Sequence, residues 1–231
     1  MKIGIIGAGN IGGALTRRFS ALGHEVFVAN SRGPKSLANL AAETGAKAVT
    51  VQEAARNGDV VIVTIPEKNI PQLPPDLFTG VPENVVVVDT GNYYPRQRDG
   101  RIEGIEEGMT ESGWVAQQLH RPVIKAFNNI YAEHLLKKGQ AKGTPGRIAL
   151  PVAGDDPAAK AIVLQLIEEL GFDGVDAGSL DESWRQQPAT PVYASDFDAE
   201  GVRRALEEAT KERKPEWRAT PNSPGSRQHP A

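Results

Sequence analysis

Three glycines near the start of the chain, and a polar stretch about 20 positions further on, carry the first chemistry that can be read from the sequence. Gly7, Gly9 and Gly12 stand in Gly7-Ala8-Gly9-Asn10-Ile11-Gly12, directly after the apolar run Lys2-Ile-Gly-Ile-Ile6. Each glycine there has its own task. Gly7 permits a tight turn, Gly9 lets the backbone approach a pyrophosphate closely, and Gly12 lets a helix pack tightly on a sheet. The N–H groups of the first helical turn are then free to face an anion. The second stretch reads Ala29-Asn30-Ser31-Arg32-Gly33-Pro34-Lys35 and contains no acid. An NAD site usually places a carboxylate here for the ribose hydroxyls. A carboxylate would repel a phosphate on that ribose, whereas Asn30, Ser31 and Arg32, with Lys35 close by, can donate to it, Arg in bidentate fashion. The expected dinucleotide is therefore NADP(H).

The elements that must hold these groups follow from periodicity. Ile11, Leu15, Phe19 and Leu22 fall on one face of a helix that should end at Gly23, and Glu25-Val-Phe-Val-Ala29 reads as the second strand. Pro34 to Thr44 reads as a helix, Lys47 to Thr50 as a short strand, and Gln52 to Arg56 as a short helix. Asp59-Val-Val-Ile-Val-Thr-Ile65-Pro66 and Asn84-Val-Val-Val-Val-Asp89 are continuous apolar runs, as in parallel strands covered on both faces. Thr64, Ile65 and Pro66 then lie at the carboxyl edge of the sheet, where ligands of open α/β sheets sit. The proline-rich stretch from Ile70 to Pro82 reads as a broken helix or loop, and the charged stretch from Arg96 to Gly108 as a surface loop over the site. Ser112 to Leu119 reads as a helix and Pro122 to Ala126 as a strand opening into Phe127-Asn128-Asn129. That asparagine pair could orient a nicotinamide amide or a substrate carbonyl, or could simply stabilise a turn.

A second strand–helix–strand unit follows, from Arg147 to Asp176, with an aspartate cap and Pro157 opening its helix. Beyond it, Trp184-Arg185 offers a surface for a flat ring or a packed corner. Gly201 to Lys211 can form a last helix, and the end from Ala219 to Ala231 has the composition of a disordered or docking tail. The fold expected is α/β: a Rossmann-type, doubly wound, mostly parallel sheet with helices on both faces. Residues 1–180 would form the NADP-binding domain and 181–231 a small C-terminal extension.

Composition narrows the function classes. Among 231 residues, Lys+Arg 26 against Asp+Glu 29 leaves a net charge of -3, with no global basic surface for nucleic acid. The apolar runs are strand-sized, and the chain starts directly on its first strand, so neither a membrane span nor a signal peptide is expected. There is no cysteine, which excludes disulfides, thiolate-held clusters and a cysteine nucleophile and fits a cytoplasmic protein. The four histidines are scattered without ligand spacing, so no metal is expected.

With these segments placed, the chain resembles the family of NADPH:coenzyme F-420 oxidoreductases and related compact NADP-dependent oxidoreductases. The likeness lies in residues 3–12, Asn30-Ser31-Arg32, Val63-Thr-Ile-Pro66, Val88-Asp-Thr-Gly-Asn92, Val123-Ile-Lys-Ala-Phe-Asn128, Val152-Ala-Gly-Asp-Asp156 and 169–178. The resemblance implies a homodimer that moves a hydride between NADPH and a small-molecule redox acceptor, a flat ring such as deazaflavin coenzyme F-420 or a flavin. It implies that Gly7, Gly9, Asn10, Ile11 and Gly12 hold the pyrophosphate, and that Asn30, Ser31 and Arg32 hold the 2′-phosphate. Thr64, Ile65 and Pro66 would wall the nicotinamide, with Ala126 nearby, and Asn128 with its neighbours Phe127 and Asn129 would line the cleft for the second ring. Two cofactors that do the chemistry themselves would explain a chain without an acid–base pair or triad. Past Leu180, the Trp-Arg-Gln-Gln segment and the long tail depart from a compact deazaflavin reductase. Two other readings share the cofactor motifs: an NADPH-dependent reductase of a small keto or imine substrate, and an NADP-sensing regulator without turnover.

Overall fold

The computed structural model describes residues 1–224. The part of the Pro/Ser-rich end beyond 224 lies outside the described residues. Six strands form one parallel sheet: β1 (Lys2–Ile6), β2 (Glu25–Ala29), β3 (Lys47–Ala48), β4 (Val60–Val63), β5 (Val86–Asp89) and β6 (Ile124–Lys125). Their order is β3-β2-β1-β4-β5-β6. The chain therefore winds outward from β1 in one direction, then returns to β4 and winds in the other. The switch between β1 and β4 opens a crevice at the carboxyl edge, and the glycine turn leaves β1 at that point.

Both faces of the sheet are covered, which is why its strands are apolar throughout. Ile3, Ile5, Val28, Ile62 and Val88 face α1 (Asn10–Ala21), through Leu15 and Phe19, and share a core with Phe172. On the opposite face Ile6, Phe27 and Val61 meet Ala54 and Ala55 of α3 (Val51–Asn57), which follows α2 (Ala38–Thr44). Val63 and Val87 share a further core with Ile105 of α4 (Glu103–Glu106) and Trp114 of α5 (Glu111–Leu119). Burial of this apolar surface, at roughly 25 cal/mol per Å2, is the main force holding the layers. The expected helix from Pro34 is a 3-10 turn, Pro34–Leu37, running into α2, which stops at Gly45 with φ 75. Thr50 begins α3 with a reciprocal capping box to Glu53.

The second strand–helix–strand unit is present as β7 (Ala149–Val152), α7 (Pro157–Glu169) and β8 (Asp173–Asp176), after α6 (Ala132–Lys137). Its two strands pair with each other in parallel, and Lys125 of β6 bridges Ala153 in antiparallel sense. Asp156 caps α7 by accepting from the Ala158 N–H at 2.8 Å, as expected of that aspartate. α8 (Ala199–Glu207) lays Val202, Ala205 and Leu206 on Ala149 and Val175 of this pair.

The stretch from 96 to 108 is not the plain surface loop its charge suggests. It forms a π-type turn, Pro95–Asp99, and α4, with Asp99 and Ile105 buried. The cause lies more than a hundred residues away. The segment after α8 docks here: the Arg96 guanidinium donates to the carbonyls of Arg218 (3.0 Å) and Pro215 (2.5 Å), and the Ala219 N–H donates to Glu106 at 2.7 Å. Arg213 pairs with buried Glu111 at 2.8 Å.

Candidate functional site

The glycine turn has the geometry its sequence implies. Gly7 has φ 111, and an added Cβ there would meet the Thr64 carbonyl at 2.6 Å; at Gly12 it would meet the Gly7 carbonyl at 1.9 Å. Neither position tolerates a side chain, because the chain is packed against itself. Gly9 is different. An added Cβ would meet nothing within 4 Å, so the space above Gly9 is open for something to approach. α1 begins at Asn10 with no side-chain cap and no acid in its first turn, which leaves its N-terminal N–H groups and partial positive charge turned to that space. Thr64 supports the turn from below, its hydroxyl donating to the Gly7 carbonyl at 2.8 Å.

A cleft of about 520 Å3 joins Gly7, Ala8 and Gly9 to Asn30, Ser31 and Arg32 on one side and to Thr64, Ile65 and Pro66 on the other. Three groups of residues far apart in sequence thus meet in one place. Within the loop after β2, the Asn30 side chain is already engaged: its amide donates to the Ser36 hydroxyl at 2.9 Å, and its oxygen accepts from the Arg32 N–H at 3.0 Å. Asn30 shapes the turn, while Ser31 and Arg32 stand exposed at the cleft. Lys35 is exposed outside this lining. A neighbouring open groove of about 1030 Å3 also borders Ala8, Gly9 and Arg32, and adds Asn10 and Tyr131. The Ile11 side chain packs against the main core.

At the other end of the carboxyl edge the sequence reading needs correction. Ala126 and Phe127 are fully buried, and Phe127, with φ 62, turns its ring into the main core instead of lining a cleft. Asn128 is 4 % exposed and fully committed. Its amide donates to the Asn92 side chain (3.0 Å) and the Gln186 carbonyl (2.7 Å), and its side-chain oxygen accepts from Gln186 at 3.0 Å. Of the two readings of this pair, Asn128 takes the structural one, as a clamp between the loops after β5 and β6 and the segment near 186. Asn129 is 1 % exposed, and among the described residues neither of its side-chain polar atoms has a partner. Trp184 and Arg185 form a stacked pair, 4.6 Å from guanidinium to ring, with Arg185 also donating to the Leu206 carbonyl, which makes them a packed corner.

The sequence reading also missed a buried charge cluster behind the β5 turn. The Lys125 ammonium, fully buried, donates to Asp89 at 3.0 Å and to the Gly91 carbonyl at 2.6 Å. Ser112 donates to the same carboxylate at 2.6 Å, and the Gly91 N–H to its other oxygen at 2.8 Å. These bonds hold Thr90-Gly91-Asn92 in place beyond β5. Burial alone would depress the Lys125 ammonium, yet Asp89 and Glu111 raise it above its usual range, so it is charged. Among the described residues, Glu67, also fully buried, has no hydrogen-bond partner for either oxygen. Burial first, and then the Asp89 charge, push its carboxyl well above the usual range. A lysine inside the apolar run Val123-Ile-Lys-Ala-Phe was the available signal, since such a charge must find a partner.

Residues 2–93 match the family model described as NADP oxidoreductase coenzyme F420-dependent. Protein YjhV of Escherichia coli (strain K12) is 49% identical over 91 residues, which are 39% of this chain and 59% of YjhV, so the match spans less than two thirds of that relative. The crystal structure of the hypothetical protein SMa0349 from Sinorhizobium meliloti is similar over 85% of this chain and 94% of its own, at 33% identity and a TM-score of 0.71. A protein of an Arthrobacter species, provisionally named an F420-dependent NADP reductase, shares the fold at 23% identity and a TM-score of 0.63, over 78% of this chain and 85% of its own.

Proposed function

We propose that this chain, whose residues 2–93 match the family model described as NADP oxidoreductase coenzyme F420-dependent, binds NADP(H) in the cleft over Gly9 and exchanges a hydride with a planar acceptor, a deazaflavin or a flavin. The observation that carries the reading is the open space at Gly9, continuous with the acid-free loop at Ser31 and Arg32. Its donors suit the dinucleotide: N–H groups of α1 toward the pyrophosphate, and the Arg32 guanidinium and Ser31 hydroxyl toward the 2′-phosphate. Thr64 fixes the turn, and Ile65 and Pro66 form an apolar wall where the nicotinamide end would lie. NADPH, when bound, supplies the hydride. What the protein contributes is distance, face and exclusion of water, so a site without an acid–base pair is sufficient.

The test is a titration with both dinucleotides, followed by NADPH oxidation against a deazaflavin, FMN, a quinone, a ferric chelate and an α-keto acid. NADPH should bind at least about tenfold more tightly than NADH, about 1.4 kcal/mol, and a planar acceptor should be the best oxidant. Equal affinity for the two dinucleotides would overturn the assignment of Ser31 and Arg32. Binding without turnover of any acceptor would favour a sensing role for the same cleft.

A further inference from the structure

The segment that docks on α4 and α5 also closes a separate space. A cavity of about 320 Å3 lies between residues 105–110, the turn after Trp184 and residues 208–218, and among the described residues it shares no lining with the two spaces at the glycine turn. Part of its wall is apolar, from Ile105, Met109, Trp184, Pro188 and Pro191. Two of its polar residues, Gln187 and Arg213, touch each other. The Arg213 guanidinium is fixed over the Tyr93 ring, 5.2 Å from the centroid, and its Nη2 donates to Glu111 at 2.8 Å and to the Gln187 side-chain oxygen at 3.5 Å. Among the described residues, Nη1 of that guanidinium and the Nε2 amide of Gln187 are buried without an acceptor. Buried donors of this kind cost free energy until something satisfies them.

We propose that this cavity is a binding site for a small organic carboxylate with an apolar body. The carboxylate would take Nη1 of Arg213 and Nε2 of Gln187, two neighbouring donors for two oxygens, one of them charged. The body would lie against Met109 and the Trp184 ring. Charge on the wall favours an anion over a neutral acceptor: Lys211, Arg213, Lys214 and Arg218 face Glu106, Glu208 and Glu212, and Glu106 is already engaged, accepting from the Ala219 N–H at 2.7 Å. The volume falls at the lower end of small-molecule sites and exceeds what a bare ion needs. Glu111 and Tyr93 hold the guanidinium in place beforehand, so little ordering is left for the ligand to impose. The site is independent of the dinucleotide reading, and it gives the segment from 208 to 218 a task beyond covering α4 and α5.

Cyclohexanecarboxylate is a suitable probe, with cyclohexanecarboxamide as its neutral counterpart. Each would be titrated into the whole chain at constant ionic strength, following tryptophan fluorescence and the thermal melt, with and without saturating NADP+. The acid should change the fluorescence and raise the melting temperature, and the amide should bind about tenfold or more weakly. Gln187→Met removes the amide donors at similar volume and should weaken the acid by about fivefold or more. Gln187→Glu sets a carboxylate where the ligand's would lie and should abolish binding, with the melt showing that the variant folds. Trp184→Phe should lose most of the fluorescence response and keep the thermal shift, which places the probe in this cavity. No response to the acid, equal affinity for acid and amide, unchanged affinity in Gln187→Met, or displacement of the acid by NADP+ would each overturn the site.

Discussion

Adding one methyl group at Gly9 and at Gly12 should separate binding from folding. At Gly9 the backbone has φ -75 and ψ -156, within reach of alanine, and the new Cβ meets nothing within 4 Å. The protein itself should therefore tolerate Gly9→Ala, and the lost freedom of the unfolded chain should stabilise it by about 0.4–1 kcal/mol. A pyrophosphate that needs the backbone at close range would meet the methyl group directly. NADPH affinity should therefore fall by about tenfold or more, a loss of about 1.4 kcal/mol or more. At Gly12 the methyl would lie 1.9 Å from the Gly7 carbonyl and 2.5 Å from the Thr64 hydroxyl. A carbon–oxygen contact needs roughly 3.3 Å even when close, so the turn must open by more than an ångström, and the backbone leaves it no easy way. Gly12→Ala should cost about 1–3 kcal/mol of stability through overpacking, and should lose binding as well. Thermal melts and NADPH titrations of both variants are the assay. If Gly9→Ala binds NADPH like wild type, nothing passes close over Gly9, and the placement of the pyrophosphate is wrong.

Arg32→Ala should leave stability within about 0.5 kcal/mol and remove most of the preference for NADPH over NADH, read as the ratio of dissociation constants. Lys125→Met should cost about 3–5 kcal/mol in urea unfolding, because it strands the Asp89 carboxylate; pairing it with Asp89→Asn should recover much of that, and equal losses in the single and double variants would contradict the ion-pair account. Glu67 gives a pH signature. Its folded-state pKa is raised, so between the ordinary carboxyl value and that raised value the native state holds a proton the unfolded state has released, and stability falls as pH rises. Glu67→Gln should flatten that fall, measured as unfolding free energy at about pH 5 and about pH 8, and an unchanged slope would mean that Glu67 does not carry it.

Much of the cofactor side was legible because its information is local. Apolar strands covered on both faces announce themselves as continuous runs, and two glycines of the tight turn, Gly7 and Gly12, leave no room for any side chain. The far carboxyl edge, beyond β5 and β6, was poorly legible because its information is distant. Phe127 follows a strand and looks as if it should face a cleft, but its positive φ sends the ring into the core, a choice set by the space between the sheet and its helices. Asn128 is claimed by Asn92 and Gln186, 36 and 58 positions away. The charged stretch after Tyr94 looked solvated, and would be if the segment from 213 did not cover it. Lys125 could have been noticed, yet its partner Asp89 ends another strand, and nothing local links the two.

That covering segment has a further consequence for how the protein is made. Arg213 reaches back 102 positions to Glu111, Ala219 reaches back 113 to Glu106, and Arg96 waits 122 positions for the Arg218 carbonyl. During synthesis, which proceeds from the N-terminus at roughly 5–20 residues per second, β1 to β4 and the glycine turn are all available before the first third of the chain is complete. None of the bonds that close the far side can form until residues 213–219 have emerged, seconds later. The nascent chain can thus assemble the glycine turn and its cleft well before the segment that covers Arg96, Glu106 and Glu111 exists.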